Sequence, residues 1–236
     1  MAAEEEAAEL RARAHGDAAL LETLVARRLT GEPLAWITGR VEFCGVEVRV
    51  DPGVYVPRWQ TELLARRAAE RLPPTGTAVD VCTGSGAIAK TLMTRRPDAR
   101  VTATELDDRA IACARANGVD ARRGDLLDPI DEPVDLVVGV VPYVPTGELA
   151  LLQRDTLTFE SPLSYDGGHD GADLLRRVIA DSPRVLRPKG ALLLELGGDQ
   201  ADAVAEDLAK AGYRGVAALT DEEGDVRGIE ATLADR

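Results

Sequence analysis

The sequence predicts an α/β fold: a Rossmann-like, doubly wound, mostly parallel sheet with an antiparallel last strand. Three observations carry that expectation. Apolar strand-like runs alternate with helical patterns from about residue 77 onward. A glycine turn, Gly84-Ser85-Gly86, joins the first of those strands to a helix. The final apolar run, Gly228 to Leu233, follows only a charged turn at Asp221–Asp225, which fits an antiparallel hairpin with the strand before it.

The elements follow in order. Residues 4 to 30 are rich in Ala, Glu, Leu and Arg, and Leu21, Leu24, Val25 and Leu29 recur at helical spacing. One or two helices with a single packed face are expected there. Gly31-Glu32-Pro33 ends them. Val46, Val48 and Val50 alternate with charged residues, which predicts an exposed hairpin with Asp51-Pro52-Gly53 as its turn. A helix follows from Thr61 to Arg71, with Thr61 placed to cap it. Pro73-Pro74-Thr75-Gly76 marks a boundary, so residues 1–74 form a small helix-and-hairpin element and residues 75–236 the sheet domain. Within the latter, Val79–Cys82, Arg100–Thr104, Gly118–Arg122, Val134–Val140, Ala191–Leu196 and Val216–Leu219 read as strands. Helices fall near 86–96, 107–117, 171–186 and 199–212. With Gly228–Leu233 the sheet has seven strands.

Composition narrows the function. A chain of 236 residues with 45% hydrophobic content can fill a core, so disorder is not expected. A formal net charge of −13 repels phosphate backbones, so nucleic acid is not an expected partner. Basic peptides or cationic small molecules suit that surface better. Cys44, Cys82 and Cys113 are odd in number and form no C-x-x-C pair, which points to reduced thiols and a cytoplasmic protein. The start, Met-Ala-Ala-Glu-Glu-Glu, lacks a signal peptide's basic end and apolar core. No apolar run approaches the roughly 20 residues of a membrane span, so no membrane partner is expected. His15 and His169 stand far apart with no second ligand motif, so no metal is expected. The glycine-rich run from Asp166 to Gly171 reads as a turn before a helix that starts near Ala172. Nothing in the sequence fixes the oligomeric state.

The glycine turn carries the chemistry. Gly84 and Gly86 let the backbone turn sharply and approach a ligand, and the helix that follows aims its first N–H groups at the same place. Cys82, Thr83 and Ser85 complete this loop. Glu105 ends the next strand about 20 residues beyond the first glycine, where a carboxylate accepts both hydroxyls of a ribose, and Leu106 follows it. Asp125, after the third strand, is placed to accept an adenine amino group, with Leu126 against the ring. Two ligands fit. Gly84 to Ala89 matches G-x-G-x-x-A, which allows NAD. Asp80, however, sits just before the loop, where it would repel a pyrophosphate and pair with the ammonium of a methionine moiety. S-adenosylmethionine is therefore the expected cofactor, and NAD-dependent reduction the rival reading.

The fourth strand ends in Val140-Val141-Pro142-Tyr143, a rigid lip with one aromatic ring. Here the chain resembles the HemK/PrmC family of protein-glutamine N-methyltransferases, which modify the Gly-Gly-Gln loop of translation release factors. The likeness rests on Pro33 to Gly39, Glu42-Phe43, Val56-Pro57-Arg58 with Thr61-Glu62, Asp80 to Ile88, Glu105, Gly124-Asp125, Pro142-Tyr143, Phe159 to Leu163, Asp166-Gly167-Gly168 and Asp170-Gly171. The N-terminal helical part is shorter than is usual in that family. The resemblance implies the seven-stranded class I methyltransferase fold, S-adenosylmethionine as cofactor, and a protein or peptide acceptor. It also implies substrate contacts at Phe43, Arg58, Tyr143 and Glu160, with Val140, Val141, Pro142 and Tyr143 at the reacting centre. Arg58 and Glu62 are equally spaced for a helix-start ion pair.

One departure matters chemically. The family's lip is Asn-Pro-Pro-Tyr, and Val140 stands where the family has Asn. An amide nitrogen is a poor nucleophile, and the Asn oxygen with a backbone carbonyl aims it. Val140 offers no such acceptor. Three readings stay open on the residues alone. A side-chain amide is methylated with the help of the Val141 carbonyl and the Tyr143 ring. A more nucleophilic nitrogen or oxygen of a peptide or small metabolite is methylated. The cofactor is bound without turnover.

Overall fold

The structure is a computed structural model, and it describes residues 3–152 and 158–235. Two helices open it, α1 (Ala3–Ala14) and α2 (Ala18–Leu29), followed by the short α3 (Leu34–Thr38). Asp17 caps α2, its carboxylate accepting from the Leu20 N–H at 3.0 Å. These helices bury Leu10, Leu24, Leu34 and Ile37 among themselves, with Leu21 packed against them, whereas Val25 and Leu29, expected on the same packed face, are exposed.

A hairpin comes next, β1 (Arg40–Phe43) with β2 (Val46–Arg49). It differs from expectation in two ways. Phe43 pairs with Val46, so the turn is Cys44-Gly45, and Asp51-Pro52-Gly53 leads away from the hairpin. Both turn residues have positive φ, 54° and 77°, as a two-residue turn matched to strand twist demands. Cysteine tolerates that backbone because its N–H is held at 3.0 Å by Glu62 Oε1 from another element. Nor is the hairpin exposed: Phe43 and Val48 are buried in the main core. Only its charged face meets solvent.

Helix α4 runs Thr61–Arg71, as expected, but Thr61 is its first turn and not its cap. Gln60 occupies the cap position without a side-chain capping bond, and Thr61 is buried. Then strands and helices alternate: β3 (Thr77–Val81), α5 (Ala87–Arg95), β4 (Arg100–Glu105), α6 (Asp108–Ala116), β5 (Asp120–Arg123), β6 (Val134–Gly139), α7 (Asp173–Val185) and β7 (Leu186–Glu195). The expected helix at 199–212 is two pieces, α8 (Gln200–Ala203) and α9 (Ala205–Lys210), parted at the fully buried Val204. The chain ends with β8 (Tyr213–Thr220) and β9 (Val226–Leu233).

Seven strands form one sheet in the order β5-β4-β3-β6-β7-β9-β8. Strands β3 to β7 pair in parallel, and β9 slots antiparallel between β7 and β8. Alternation along each strand divides the core into two layers. Ala78, Leu136, Val138 and Leu193 face α4, α5 and the hairpin. Val79, Val137, Leu192 and Leu194 face α7 and α9. The strand order reverses beside β3, between β4 and β6, and that switch point opens the crevice in which open α/β sheets bind ligands.

One side chain sews the hairpin to the glycine turn. Asn117, at the end of α6, accepts from the Arg49 N–H at 2.9 Å. Its amide donates to the Arg49 carbonyl at 2.9 Å and to the Ser85 carbonyl at 2.8 Å. No helix among the described residues is long and apolar enough to cross a membrane.

Candidate active site

A cavity of about 480 Å³ opens at the carboxyl ends of β3, β4 and β6. It is built from the strand ends upward. Asp80 is carried into it by β3 and is 1% exposed. Its Oδ2 accepts from the Thr83 hydroxyl at 2.6 Å and the Ala89 N–H at 3.1 Å. Its Oδ1 is buried with no partner among the described residues. Burial pushes the Asp80 carboxyl up to about 7, against the pull of the two hydrogen bonds, with the Glu105 charge adding to the rise.

Cys82, Thr83, Gly84 and Ser85 line the same wall. Gly84 has φ +56° and open space where a side chain would stand, so its backbone faces the cavity directly. Gly86 serves differently. A Cβ there would lie 2.9 Å from Val119 and 3.2 Å from Ala114, so this glycine lets α5 pack closely on α6. Glu105 ends β4 and is fixed by three backbone donors: Gly84 at 2.9 Å, Leu106 at 2.8 Å and Asp107 at 3.2 Å. Leu106, Asp125 and Leu126 complete this end.

Asp125 has a partner that the sequence did not single out. Arg177, from α7, donates to Asp125 Oδ2 at 2.6 Å and also lines the cavity. Only structure brings these residues together, since they lie 52 positions apart.

The rest of the lining mixes the apolar Phe43, Tyr55, Pro57, Val140, Pro142 and Leu163 with the polar Thr61, Ser161, Ser164 and Asp166. The lip residues divide. Val140 and Pro142 face the cavity, while Val141 is fully buried in the α7-side core. Tyr143 turns its hydroxyl away to Glu195 Oε1 at 3.1 Å. The lip is braced from behind by the glycine run. Val144 donates to the Tyr165 carbonyl at 2.8 Å, and Gly167 donates to the Val144 carbonyl at 2.9 Å. A Cβ on Gly167 would fall 2.7 Å from the Tyr143 Cα and 2.5 Å from the Gly171 carbonyl. The run is thus a lip support as well as the turn before α7. Gly167→Ala is expected to destabilise the fold by about 1–3 kcal/mol in chemical denaturation, because backbone on both sides has no room to yield.

Arg58 and Glu160 lie outside the cavity lining but form one cluster beside it. Glu160, 4% exposed, accepts from the Val56 N–H at 2.8 Å, from Arg58 at 2.5 Å and from the Tyr165 hydroxyl. Arg58 also donates to the Tyr165 hydroxyl at 2.9 Å and lies 5.0 Å over the Tyr55 ring. The alternative Arg58–Glu62 pair does not form; Glu62 pairs with Arg66 and holds Cys44.

The residues fit the expected cofactor. Among the described residues, three buried oxygens on the cavity wall lack partners: Asp80 Oδ1, Ser85 Oγ and Thr104 Oγ1. An ammonium suits the first, and polar ligand groups suit the others. A pyrophosphate is a poor match for a wall that presents Asp80, Glu105 and Asp125 together.

Comparison with known proteins agrees with this geometry. Residues 46–144 match the family model described as Methyltransferase small domain. A release factor glutamine methyltransferase of Geobacter sulfurreducens is 38% identical over 197 residues, which span 80% of this chain and 69% of that protein. The corresponding protein of Moorella thermoacetica is 40% identical over 211 residues, 84% of this chain and 74% of its own length. Among solved structures, a ribosomal-protein methylase of Lactobacillus delbrueckii subsp. bulgaricus shares the fold with a TM-score of 0.57, at 20% identity over 80% of this chain and 85% of that one.

Proposed function

The chain belongs to the release factor glutamine methyltransferase family, and from that premise we propose that it methylates the side-chain nitrogen of a glutamine in a release factor. That it is an S-adenosylmethionine-dependent methyltransferase follows from the family itself. The observation that supports the cofactor assignment most is Asp80, buried with one oxygen unpartnered on the cavity wall.

When bound, S-adenosylmethionine supplies a methyl carbon whose bond to sulfur breaks as a bond to the acceptor nitrogen forms, the electron pair staying on sulfur and one proton leaving the nitrogen. The chain's residues do the positioning. Asp80 takes the ammonium of the amino-acid moiety. Glu105, already locked by three N–H groups, presents its remaining lone pairs to the ribose. Asp125 and Leu126 would hold the adenine, and Arg177, which donates to Asp125, fixes the carboxylate's angle. Val140 and Pro142 shape the opposite wall, and in this reading the main chain of the lip, at the Val141 carbonyl, would accept an amide hydrogen. Phe43 and Tyr55 exclude water from the reacting nitrogen.

Val140 supports a second reading, because its side chain accepts no hydrogen bond. A nucleophile stronger than an amide, such as an amine, needs less help from that position. One experiment separates the two. The protein is incubated with S-adenosylmethionine and either a Gly-Gly-Gln peptide or its Gly-Gly-Lys counterpart, and products are read by mass spectrometry. Methylation of the glutamine peptide is expected. Methylation of lysine alone would replace the glutamine reading with the second one. Val140→Asn is expected to raise the rate on the glutamine peptide by up to about 10²-fold, the lower end of what one positioned hydrogen-bonding group contributes at a reacting centre.

A further inference from the structure

Glu195 lies outside the cavity lining, and no step above uses it. It closes β7 and is 2% exposed. Pairing of Gly139 with Leu194 places it directly beside Val140, one strand over. Val138 and Leu193 both face the α4 layer, so by alternation Val140 and Glu195 project to that same side. Glu195 Oε1 accepts from Tyr143, while Oε2 is buried with no partner among the described residues. Thr61, the first residue of α4, brings its hydroxyl near enough to favour the charged carboxylate without completing a bond on Oε2. Thr61 itself lines the acceptor end of the cavity. The other titratable groups around the carboxylate are Tyr55, which lines the cavity, Tyr143, which donates to Oε1, and Arg227 of β9. A buried carboxylate oxygen without a donor is costly, so a donor is expected to complete it during function.

We propose that Thr61 and Glu195 form a relay that holds the methyl acceptor: the Thr61 hydroxyl donates to Glu195 Oε2 and turns its lone pair toward an N–H of the acceptor. This inference rests on the reading of the acceptor as a nitrogen that carries hydrogen. Thr61 touches the acceptor and is a catalytic residue; Glu195 acts through it and is a positioning residue. The relay also accounts for the proton. As the new carbon–nitrogen bond forms, the N–H proton passes to Thr61 Oγ1 while the Thr61 proton passes to Glu195 Oε2, leaving a neutral carboxyl that later releases its proton to water. Burial raises the Glu195 pKa, which suits a group that must take up a proton and return it.

The test has two arms. In the ligand-free protein, the Glu195 carboxyl is titrated by carbon-detected NMR. Thr61→Val is expected to move its midpoint upward, because the hydroxyl that favours the charged form is gone. With saturating S-adenosylmethionine and the Gly-Gly-Gln peptide, Thr61→Val is expected to lower kcat about 10²-fold, and Thr61→Ser to restore it to within about tenfold of wild type. Glu195→Gln, which keeps the size of the side chain, is expected to remove the acid limb of the kcat profile. Saturation with cofactor separates that limb from the titration of Asp80. An unmoved Glu195 midpoint, or wild-type kcat in Thr61→Val, overturns the relay and leaves the proposed function standing. No methylation of any nitrogen acceptor by the wild type overturns the function and the relay together. If Thr61→Val does not fold, the pH profile of Glu195→Gln decides alone: an unchanged acid limb overturns the relay.

Discussion

Asp80→Asn is expected to lose at least about 100-fold in affinity for S-adenosylmethionine and yet, without ligand, to melt higher than the wild type at pH 8. Both results come from one carboxylate. Its ordinary value is 3.8, and burial raises it to about 7 in the folded chain. A raised folded value means that folding favours the neutral form. Asp80 therefore supports the fold fully below its unfolded value, and that support is lost as pH rises through 7. At pH 8 the ligand-free fold carries a buried charge with one oxygen unmatched. Asparagine removes the charge and keeps an oxygen for Thr83 and Ala89. The cofactor's ammonium reverses the balance, because it binds only the charged form. Cofactor affinity in the wild type is thus expected to fall by up to about tenfold per pH unit below 7. Calorimetry of S-adenosylmethionine and S-adenosylhomocysteine, with melting curves at pH 6 and 8, checks all three statements. Unchanged affinity in Asp80→Asn would remove the ammonium from this position, and a lower melting temperature would show that the carboxylate is not a burden to the fold.

Arg58→Ala is expected to lower stability by about 3 kcal/mol, because it leaves a buried carboxylate without its opposite charge. The guanidinium is partly exposed, but the carboxylate that it neutralises is not. Glu160 is 4% exposed and ties Val56 to Tyr165 across more than a hundred residues. Without Arg58 that carboxylate keeps two hydrogen bonds and no opposite charge. Adding Glu160→Gln should recover much of the loss, since the amide still accepts from Val56. Urea denaturation of the single and double variants measures the coupling directly. Equal stability of Arg58→Ala and wild type would mean that water reaches Glu160 and the pair is a surface ornament.

The parts of the fold that the chain announces are those set by local pattern. Strand β3, the glycine turn and α5 are contiguous, and short apolar runs mark the central strands β3, β6 and β7 of the parallel sheet. Asp80, Glu105 and Asp125 are legible for the same reason: each stands where a strand ends, and strand ends in such a sheet meet at the crevice. What stays hidden is fixed by partners distant in sequence. Cys44-Gly45 carries no Asn-Gly or Asp-Gly signal, because its strained backbone is held by Glu62 and not by its own side chains. Thr61 looks like a cap until its burial against the sheet is seen. Arg177 is one of many helix arginines until α7 lays it against Asp125. The lone pairs that matter most, on Asp80 and Glu195, are defined by what fails to reach them, and no spacing rule reports that.

Asn117 has a consequence for how this protein can change over generations. It grips residue 49 through the main chain alone, by that residue's N–H and carbonyl, and grips the glycine turn through the Ser85 carbonyl. The side chain at position 49 is therefore free to drift, whereas an insertion or deletion in the hairpin is not silent. Shifting the register by one residue would swap which backbone groups Asn117 meets and would loosen the cofactor loop from behind. The hairpin is consequently no exchangeable cassette. Relatives that lengthen it are expected to have changed residue 117 as well.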